Sequence, residues 1–339
     1  MSGRLEAWLD DTPGETRGII ARDGRFERLL IQHEDDPPQS RLGARSIGRV
    51  LEVQPGYNGA FVDLGAGTAP GFLALNRSVS VREGDRIEVE ATAEPREHKG
   101  PALRLIGPGQ GTPRLLVPGP DVAGLLAALA PGVEVQTGVA AIQAAWDAEE
   151  EALAVGDLFA ESGVDLAVQR TRALIAVDID YAHLSGRDPR KGRERANREG
   201  LIQAARLIRL KSWGGLAVVD LVGSALNPDV ITAAARTAFA GDEAVFGPLS
   251  RFGLLQLALP WRRTPVEERL DAGARTRAIA LTRRLRHAML SDMTLPRLVA
   301  VCAPGEAALA APLVARLGPR AALRADPSFA PGKSDILEA

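Results

Sequence analysis

The chain has 339 residues, of which 45% are hydrophobic and 25% charged, and its net charge is −2. This length predicts about two or three folded cores, and the nearly neutral charge does not by itself indicate a nucleic-acid-binding protein. No apolar run is long enough to cross a membrane and the N-terminus lacks a signal-peptide pattern, so we expect a cytoplasmic location. The single cysteine, Cys302, excludes an intrachain disulfide and a cysteine-cluster metal site.

The first hundred residues are predicted to be rich in short strands. Residues 15–32 favour two strands joined at Asp23-Gly24, which is a strong hairpin signal. Between residues 47 and 105, strand-like runs alternate with glycine and proline turns. Several short strands at this spacing indicate a small β-barrel of the OB type.

Two aromatic residues of this barrel are candidates for binding a nucleobase. In residues 60–64 the aliphatic side chains alternate with Phe61, so Phe61 lies outside the barrel if the aliphatic face fills it. An exposed phenylalanine on a small barrel is suited to stacking on a base, and Phe72 is a second candidate. The alternative is that both rings pack against a neighbouring domain. Lys99 is a candidate phosphate contact only in combination with them.

The central segment predicts a βαβ unit with carboxylates at its strand ends. An apolar run over 174–180 carries Asp178 and Asp180, and a second over 216–222 carries Asp220. A segment of helical periodicity over 197–211 connects them. A right-handed crossover would lay the two strands parallel, with Asp178 beside Asp220.

Two interpretations of these aspartates are open. Ionised carboxylates in apolar strands need a compensating charge, and oxygen ligands without cysteine or histidine suit Mg²⁺, with Mn²⁺ as the alternative. Such a site indicates metal-assisted phosphodiester chemistry. Alternatively, the aspartates pair with nearby arginines, which are dense in the basic loop over 183–195 and the helix that follows. A basic rim suits a polyanionic substrate, although a solvated helix face is the commoner reason for such runs.

Three stretches, taken in order, resemble the ribonuclease E/G family, bacterial endoribonucleases that process and degrade RNA. They are residues 59–73 with 99–103, residues 177–220, and the segment over 250–256 that begins Ser250-Arg251-Phe252-Gly253. The resemblance implies a mixed α/β, α+β multidomain fold. An OB-fold β-barrel would precede an RNase H-like remnant and a DNase I-like catalytic subdomain, and a small α/β domain would end the chain.

The implied domains follow the family order. They are the N-terminal strands of the RNase H-like part (1–45), the OB-fold RNA-binding domain (46–105), a reduced sensor and RNase H-like region (106–170), the catalytic DNase I-like subdomain (171–265) and the small C-terminal domain (266–339).

The resemblance also implies roles for individual residues. Asp178 and Asp220 match the Mg²⁺-binding aspartates, and Asp180 stands where the family usually has an asparagine. The positions that hold single-stranded RNA are matched by Phe61, Phe72 and Lys99. The implied reaction is metal-assisted hydrolysis that leaves a 5′-phosphate.

Departures from the family lie before the catalytic strand. Residues 107–172 replace a longer region, and Gln136-Thr137 stands nearest to the Arg-Thr pair of a 5′-monophosphate sensor but lacks its guanidinium. We expect helices near 121–130 and 139–152, and residues 158–169 are similar to the helix before the catalytic strand. The strands that should accompany this helix are expected to be reduced or missing.

After Asp220 we expect a helix over 227–239, a strand over 246–259 and a long basic helix over 267–290. A strand, a helix and a strand over 297–302, 306–317 and 320–324 are similar to the domain that pairs subunits in the family. The family's zinc link needs Cys-x-x-Cys, which is absent here. We therefore expect no zinc, and a homodimer through the C-terminal domain and a monomer are both open.

Two classes of function follow from these features. Retention of both metal aspartates and of the aromatic pair favours an endoribonuclease. The missing sensor and the reduced strands favour a catalytically weakened or inactive RNA-binding relative. A DNA nuclease rests only on the general architecture of the catalytic part, and the barrel argues for single strands.

Overall fold

The computed structural model describes residues 3–65, 67, 69–76, 80–159, 162–182, 189–223, 226–271 and 273–338. The chain forms two compact units, residues 1–149 with 264–339 and residues 150–263. None of the helices in the described ranges is both long and apolar enough to span a membrane.

The first unit opens with an antiparallel meander. Its strands are β1 (Leu5–Asp10), β2 (Glu15–Arg22) and β3 (Arg25–His33). The predicted hairpin is confirmed, because Asp23 and Gly24 both have a positive φ, 52° and 76°, and join β2 to β3. Two left-handed residues give a turn whose twist matches that of the flanking strands.

A closed five-stranded barrel follows, as the turn spacing predicts. Its strands pair in the order β5-β6-β8-β7-β4, and β4 also pairs with β5 to close it. The core is aliphatic and includes Val50, Val62, Leu73 and Val89. A further strand, β9, pairs with β4. The bounds are β4 (Arg45–Gln54), β5 (Gly59–Asp63), β6 (Gly71–Ala74), β7 (Arg86–Ala93), β8 (Ala102–Pro108) and β9 (Arg114–Val117).

The two helices expected next are both present. They are α1 (Val122–Leu129) and α2 (Val139–Leu153), and the short β10 (Val135–Gln136) lies between them, parallel to β1. The side chain of Asp121 caps α1 by accepting a hydrogen bond from the backbone of Gly124 at 2.8 Å. Val122 and Leu126 of α1 pack against the meander.

The second unit contains a six-stranded sheet with the order β11-β12-β13-β14-β16-β15. Strands β13 and β14 run parallel with α3 between them in sequence, so the predicted βαβ unit is confirmed. The bounds are β11 (Gly156–Phe159), β12 (Val164–Arg170), β13 (Ile175–Tyr181), α3 (Pro189–Leu210), β14 (Gly215–Asp220), α4 (Pro228–Ala238), β15 (Val245–Phe246) and β16 (Leu254–Leu259).

Three expectations for this unit are corrected. The described residues between 158 and 169 do not form a helix: residues 158–159 end β11 and residues 164–169 belong to β12, and the two strands pair as an antiparallel hairpin. Every second residue from Val164 to Val168 is apolar and buried, which is the period of a strand. Helix α3 begins eight residues before the expected position, at Pro189, and the strand over 246–259 is split into β15 and β16.

The chain returns to the first unit with the small α/β part. Strand β17 lies between the parallel β18 and the antiparallel β19. Strands β17 and β18 were expected, whereas β19 was not predicted from the sequence. The expected helix over 267–290 is divided into α5 and α6. The bounds are α5 (Val266–Arg269), α6 (Ala274–Ser291), β17 (Leu298–Cys302), α7 (Pro304–Ala315), β18 (Ala321–Ala325) and β19 (Ser334–Glu338).

Candidate functional site

One face of the six-stranded sheet is buried, and the other carries the three predicted aspartates. Along β13, Ile175, Val177 and Ile179 are at most 3% exposed. Helix α3 lies on this side, so close that a Cβ on Gly200 would be 2.6 Å from Cγ2 of Ile179. Because side chains alternate along a strand, Asp178 and Asp180 point to the opposite face, where both are exposed.

The parallel register places Asp178 directly beside Asp220. Neighbouring strands are about 4.8 Å apart, so the two side chains start from adjacent positions on the same exposed face. Neither carboxylate makes a hydrogen bond or an ion pair with another described residue. The expected juxtaposition is confirmed, and no described arginine pairs with either aspartate; residues 183–188 of the basic loop lie outside the described ranges.

Asp180 extends the negative charge along β13. Its Oδ1 accepts a hydrogen bond from the backbone N–H of Tyr181 at 2.7 Å. Opposite it in the antiparallel β12 stands Asp165, which is also exposed. Asp165 was not among the predicted site residues, because residues 158–169 were expected to be helical. The alternation of apolar residues around Asp165 is the signal that could have found it.

A depression of about 290 Å³ lies on the exposed face of the sheet, over β12, β13 and β14, and Asp178 and Asp220 are part of its lining. Its lining is mostly small or aliphatic, and Gln169 is the uncharged polar residue there. The lining residues are Ala167, Gln169, Leu174, Ala176, Val177, Asp178, Val218 and Asp220. The carboxylates therefore border a surface with room for a group from a substrate.

Asn197 of α3 holds the chain just beyond Asp220. Its side-chain amide donates a hydrogen bond to the carbonyl of Val222 at 3.0 Å, and its Oδ1 accepts one from the N–H of Val222 at 2.8 Å. Asn197 is only 1% exposed. This paired contact fixes the chain just after β14, whereas the sequence pattern indicates Asn197 only as the start of a helix.

The predicted aromatic pair is found on the barrel of the first unit. Phe61 and Phe72 face each other across β5 and β6, with ring centroids 5.7 Å apart and planes at 66°. Ala60 and Val62 are fully buried on the other face of β5, as expected, while both rings are half-buried. A Cβ at Gly59 would lie 2.1 Å from Cζ of Phe72, so a larger residue at that position would displace the ring.

Lys99 lies in a tight turn of the same unit. Glu97 and His98 have φ values of 49° and 66°, and Nζ of Lys99 is 3.4 Å from Oε2 of Glu97. The turn is anchored where the N–H of Glu97 donates to Oε2 of Glu268 at 3.0 Å. With its side chain 67% exposed, Lys99 is open to an external anion.

The donor chemistry of the carboxylate pair fits a hard divalent cation. In the described part of the chain, no group of three or more histidine, cysteine, aspartate or glutamate side chains is arranged to hold a metal. Mg²⁺, however, is commonly bound by one or two carboxylates together with water and substrate phosphates. Asp178 and Asp220 supply two oxygen ligands without a competing cationic partner among the described residues, so they suit Mg²⁺ or Mn²⁺.

Comparison with known families gives a match for the segment that carries these aspartates. A family model described as the Ribonuclease E/G family matches residues 142–260. The match includes every strand of the six-stranded sheet and both helices between them. No curated protein matches the chain.

Proposed function

We propose, from the match of residues 142–260 to the Ribonuclease E/G family model, that this chain is a Mg²⁺-dependent endoribonuclease that cleaves single-stranded RNA in RNA processing or decay. The family points to hydrolysis of RNA. The observation that carries the finer proposal is the register of Asp178 and Asp220, which stand side by side on an open sheet face without a described partner.

Asp178 and Asp220 are the residues that would hold the ion, with Mn²⁺ as a substitute for Mg²⁺. When bound, such an ion lowers the pKa of a coordinated water and stabilises negative charge on a phosphate. Asp180 adds a further negative charge on the same face, and Asn197 keeps the end of β14 in place. In the proposed hydrolysis water attacks phosphorus and the bond to the 3′ oxygen breaks. The 3′ oxygen takes up a proton released by the attacking water and becomes a 3′ hydroxyl, and the phosphate remains on the 5′ end of the downstream product.

The barrel would hold the RNA strand. Phe61 and Phe72 form an edge-to-face pair on the outside of the barrel, and stacking of a base on an aromatic ring contributes about 1–3 kcal/mol. Lys99 would contact a phosphate, which positions a strand without reading its sequence.

A second candidate is an RNA-binding relative that has lost cleavage. It is favoured by the small number of metal ligands, since no third histidine, cysteine or acidic side chain of the described residues is placed to hold a metal together with the pair. Loss of activity would follow if the ligands were held about an ångström from their productive positions. A homodimer through residues 266–339, a cytoplasmic location and the absence of zinc belong to the proposal for either candidate.

Cleavage of a labelled, unstructured RNA tests the proposal. Asp178→Asn and Asp220→Asn should each reduce the cleavage rate at least about 100-fold, since even outer-shell partners of a metal contribute about 10- to 100-fold. Both variants should still bind the RNA. The products of the parent protein should carry 5′-phosphates, detectable by ligation.

Asp157→Asn is the matched control, because Asp157 is on the same sheet opposite the buried Leu166 and away from the carboxylate pair. It should cleave at the parent rate. If the parent protein binds RNA but does not cut it across a range of Mg²⁺ and Mn²⁺ concentrations, the RNA-binding relative is the correct assignment.

A further inference from the structure

The turn between β15 and β16 presents an aromatic side chain to solvent. Phe252 is 74% exposed, although burying a phenylalanine typically stabilises a protein by about 1.5–3 kcal/mol. The guanidinium carbon of Arg251 lies 4.7 Å from the centroid of its ring. This contact orders the ring without covering it, and Arg251 makes no ion pair with another described residue.

The turn is held by its own hydrogen bonds. Oγ of Ser250 accepts from the N–H groups of Phe252 at 3.3 Å and Leu254 at 3.0 Å. The N–H of Gly253 donates to the carbonyl of Ser250 at 3.1 Å, and the φ of Gly253 is 83°, a conformation that favours glycine. Phe252 is therefore displayed on an ordered segment, which lowers the entropic cost of binding.

The turn lies next to the carboxylate pair. Leu254, two residues after Phe252, pairs with Asp220 in the antiparallel register of β14 and β16. A Cβ placed on Gly253 would be 3.7 Å from the carbonyl oxygen of Gly223, just beyond Asp220. Phe252 is thus at the same end of the sheet as the aspartates.

A second arginine approaches from α3. A Cβ on Gly223 would lie 3.3 Å from Cδ and 3.4 Å from Nε of Arg193. Arg193 is exposed and makes no hydrogen bond or ion pair with another described residue. Positive charge and an aromatic surface therefore adjoin carboxylates that would otherwise repel a polyanion.

We propose that Arg193, Arg251 and Phe252 form a nucleotide subsite beside Asp178 and Asp220. A base adjacent to the cleaved phosphate stacks on Phe252, and the two guanidinium groups attract the phosphate of that nucleotide. Stacking on a phenylalanine accepts any base, so the subsite favours single strands without selecting a sequence. The inference rests on the proposed function, because it assumes that RNA is the molecule that reaches the aspartates.

Binding is measured on the Asp178→Asn background without divalent cation, so that cleavage does not interfere. Phe252→Ala should weaken binding of an unstructured RNA oligonucleotide about 5- to 160-fold, as loss of one stacked base predicts. Phe252→Trp should bind as the parent does. Val245→Ala is the matched control, because Val245 is an exposed apolar residue, 69% exposed, in the neighbouring strand.

An oligonucleotide with one abasic position, moved along the strand, separates stacking from a loss of structure. At one position in the oligonucleotide, the missing base should weaken binding to the protein that retains Phe252. It should not weaken binding to the Phe252→Ala variant. Arg193→Gln should reduce the dependence of log binding constant on log salt by about 0.7, the value for one phosphate contact on a single strand.

The outcomes distinguish the two proposals. If Phe252→Ala behaves like Val245→Ala in binding and, with Asp178 restored, in cleavage, the subsite is wrong even when the parent protein cuts RNA. If Phe252→Ala loses binding while the parent protein never cuts, the subsite stands and the endoribonuclease proposal fails. A parent protein that binds no RNA overturns both.

Discussion

Two pairs of carboxylates, one in each unit, lie in opposite environments. In the first unit Asp10 and Glu15 are each 1% exposed, and Arg283 of α6 donates to both, at 2.5 Å and 2.8 Å. In the second unit Asp178 and Asp220 are exposed and have no described partner. Carboxylates that the fold requires are neutralised by arginine, and a pair left without such a partner is a candidate for binding something from outside.

The buried group in the first unit is an extended network. Arg17 bridges Glu15 and Glu149, with both contacts at 2.5 Å, and Nε2 of His33 lies 2.9 Å from Glu15. Burial alone would raise the pKa of the Glu15 carboxyl. The charge of Arg17, the hydrogen bond from His33 and the charge of Arg283 instead hold that pKa well below its usual range. The network joins the N-terminal meander to helices much later in the chain.

The largest effect is expected from removing the central arginine of this network. Arg283→Met should lower the free energy of unfolding by about 3–5 kcal/mol, because it leaves Asp10 and Glu15 buried without their shared partner. Urea unfolding followed by circular dichroism measures the loss. Arg284→Met, at the exposed neighbouring position of α6, is the control and should change stability by less than about 0.5 kcal/mol. A loss below about 1 kcal/mol for Arg283→Met would show that the network is not structurally required.

A second test uses pH. Since the folded-state pKa of Glu15 is lowered from 4.5, its ionised form stabilises the fold above that pH, and the stabilisation is lost as pH falls towards the folded pKa. The free energy of unfolding should therefore decrease between about pH 5 and about pH 3. Glu15→Gln should be less stable throughout and show a smaller pH slope over this interval. Equal slopes in the two proteins would mean that Glu15 does not carry the dependence.

The exposed aspartate pair could be predicted from the sequence, whereas the buried network could not. Periodicity and the crossover rule located Asp178 and Asp220, because both depend on local strand patterns and on one parallel pairing. The network was not predicted, since Arg283 is separated from Asp10 by 273 positions and nothing local indicates that pairing.

Three residues of the candidate site were not predicted for the same reason: their placement depends on tertiary contacts. Asp165 lies on the face of the aspartates because residues 164–170 form strand β12, and not the expected helix. Asn197 shows its role only through its two hydrogen bonds to Val222. Phe252 belongs to the Ser250-Arg251-Phe252-Gly253 motif, but its 74% exposure follows from the folded turn.

The smallest change in stability is expected from substituting the exposed aspartates of the second unit. Asp178→Asn and Asp220→Asn should leave the free energy of unfolding unchanged or raise it by up to about 1 kcal/mol, because like charges on adjacent strands oppose pairing. Asp242→Asn is the contrasting control in the same unit, since Asp242 is 2.7 Å from Arg209 and its side chain is only 11% exposed. That substitution should destabilise the protein by about 1–3 kcal/mol. Urea unfolding followed by tryptophan fluorescence compares the three variants. A loss of more than about 1 kcal/mol in Asp178→Asn or Asp220→Asn would assign that carboxylate to the fold, as in the first unit, and remove the stability argument for an external ligand.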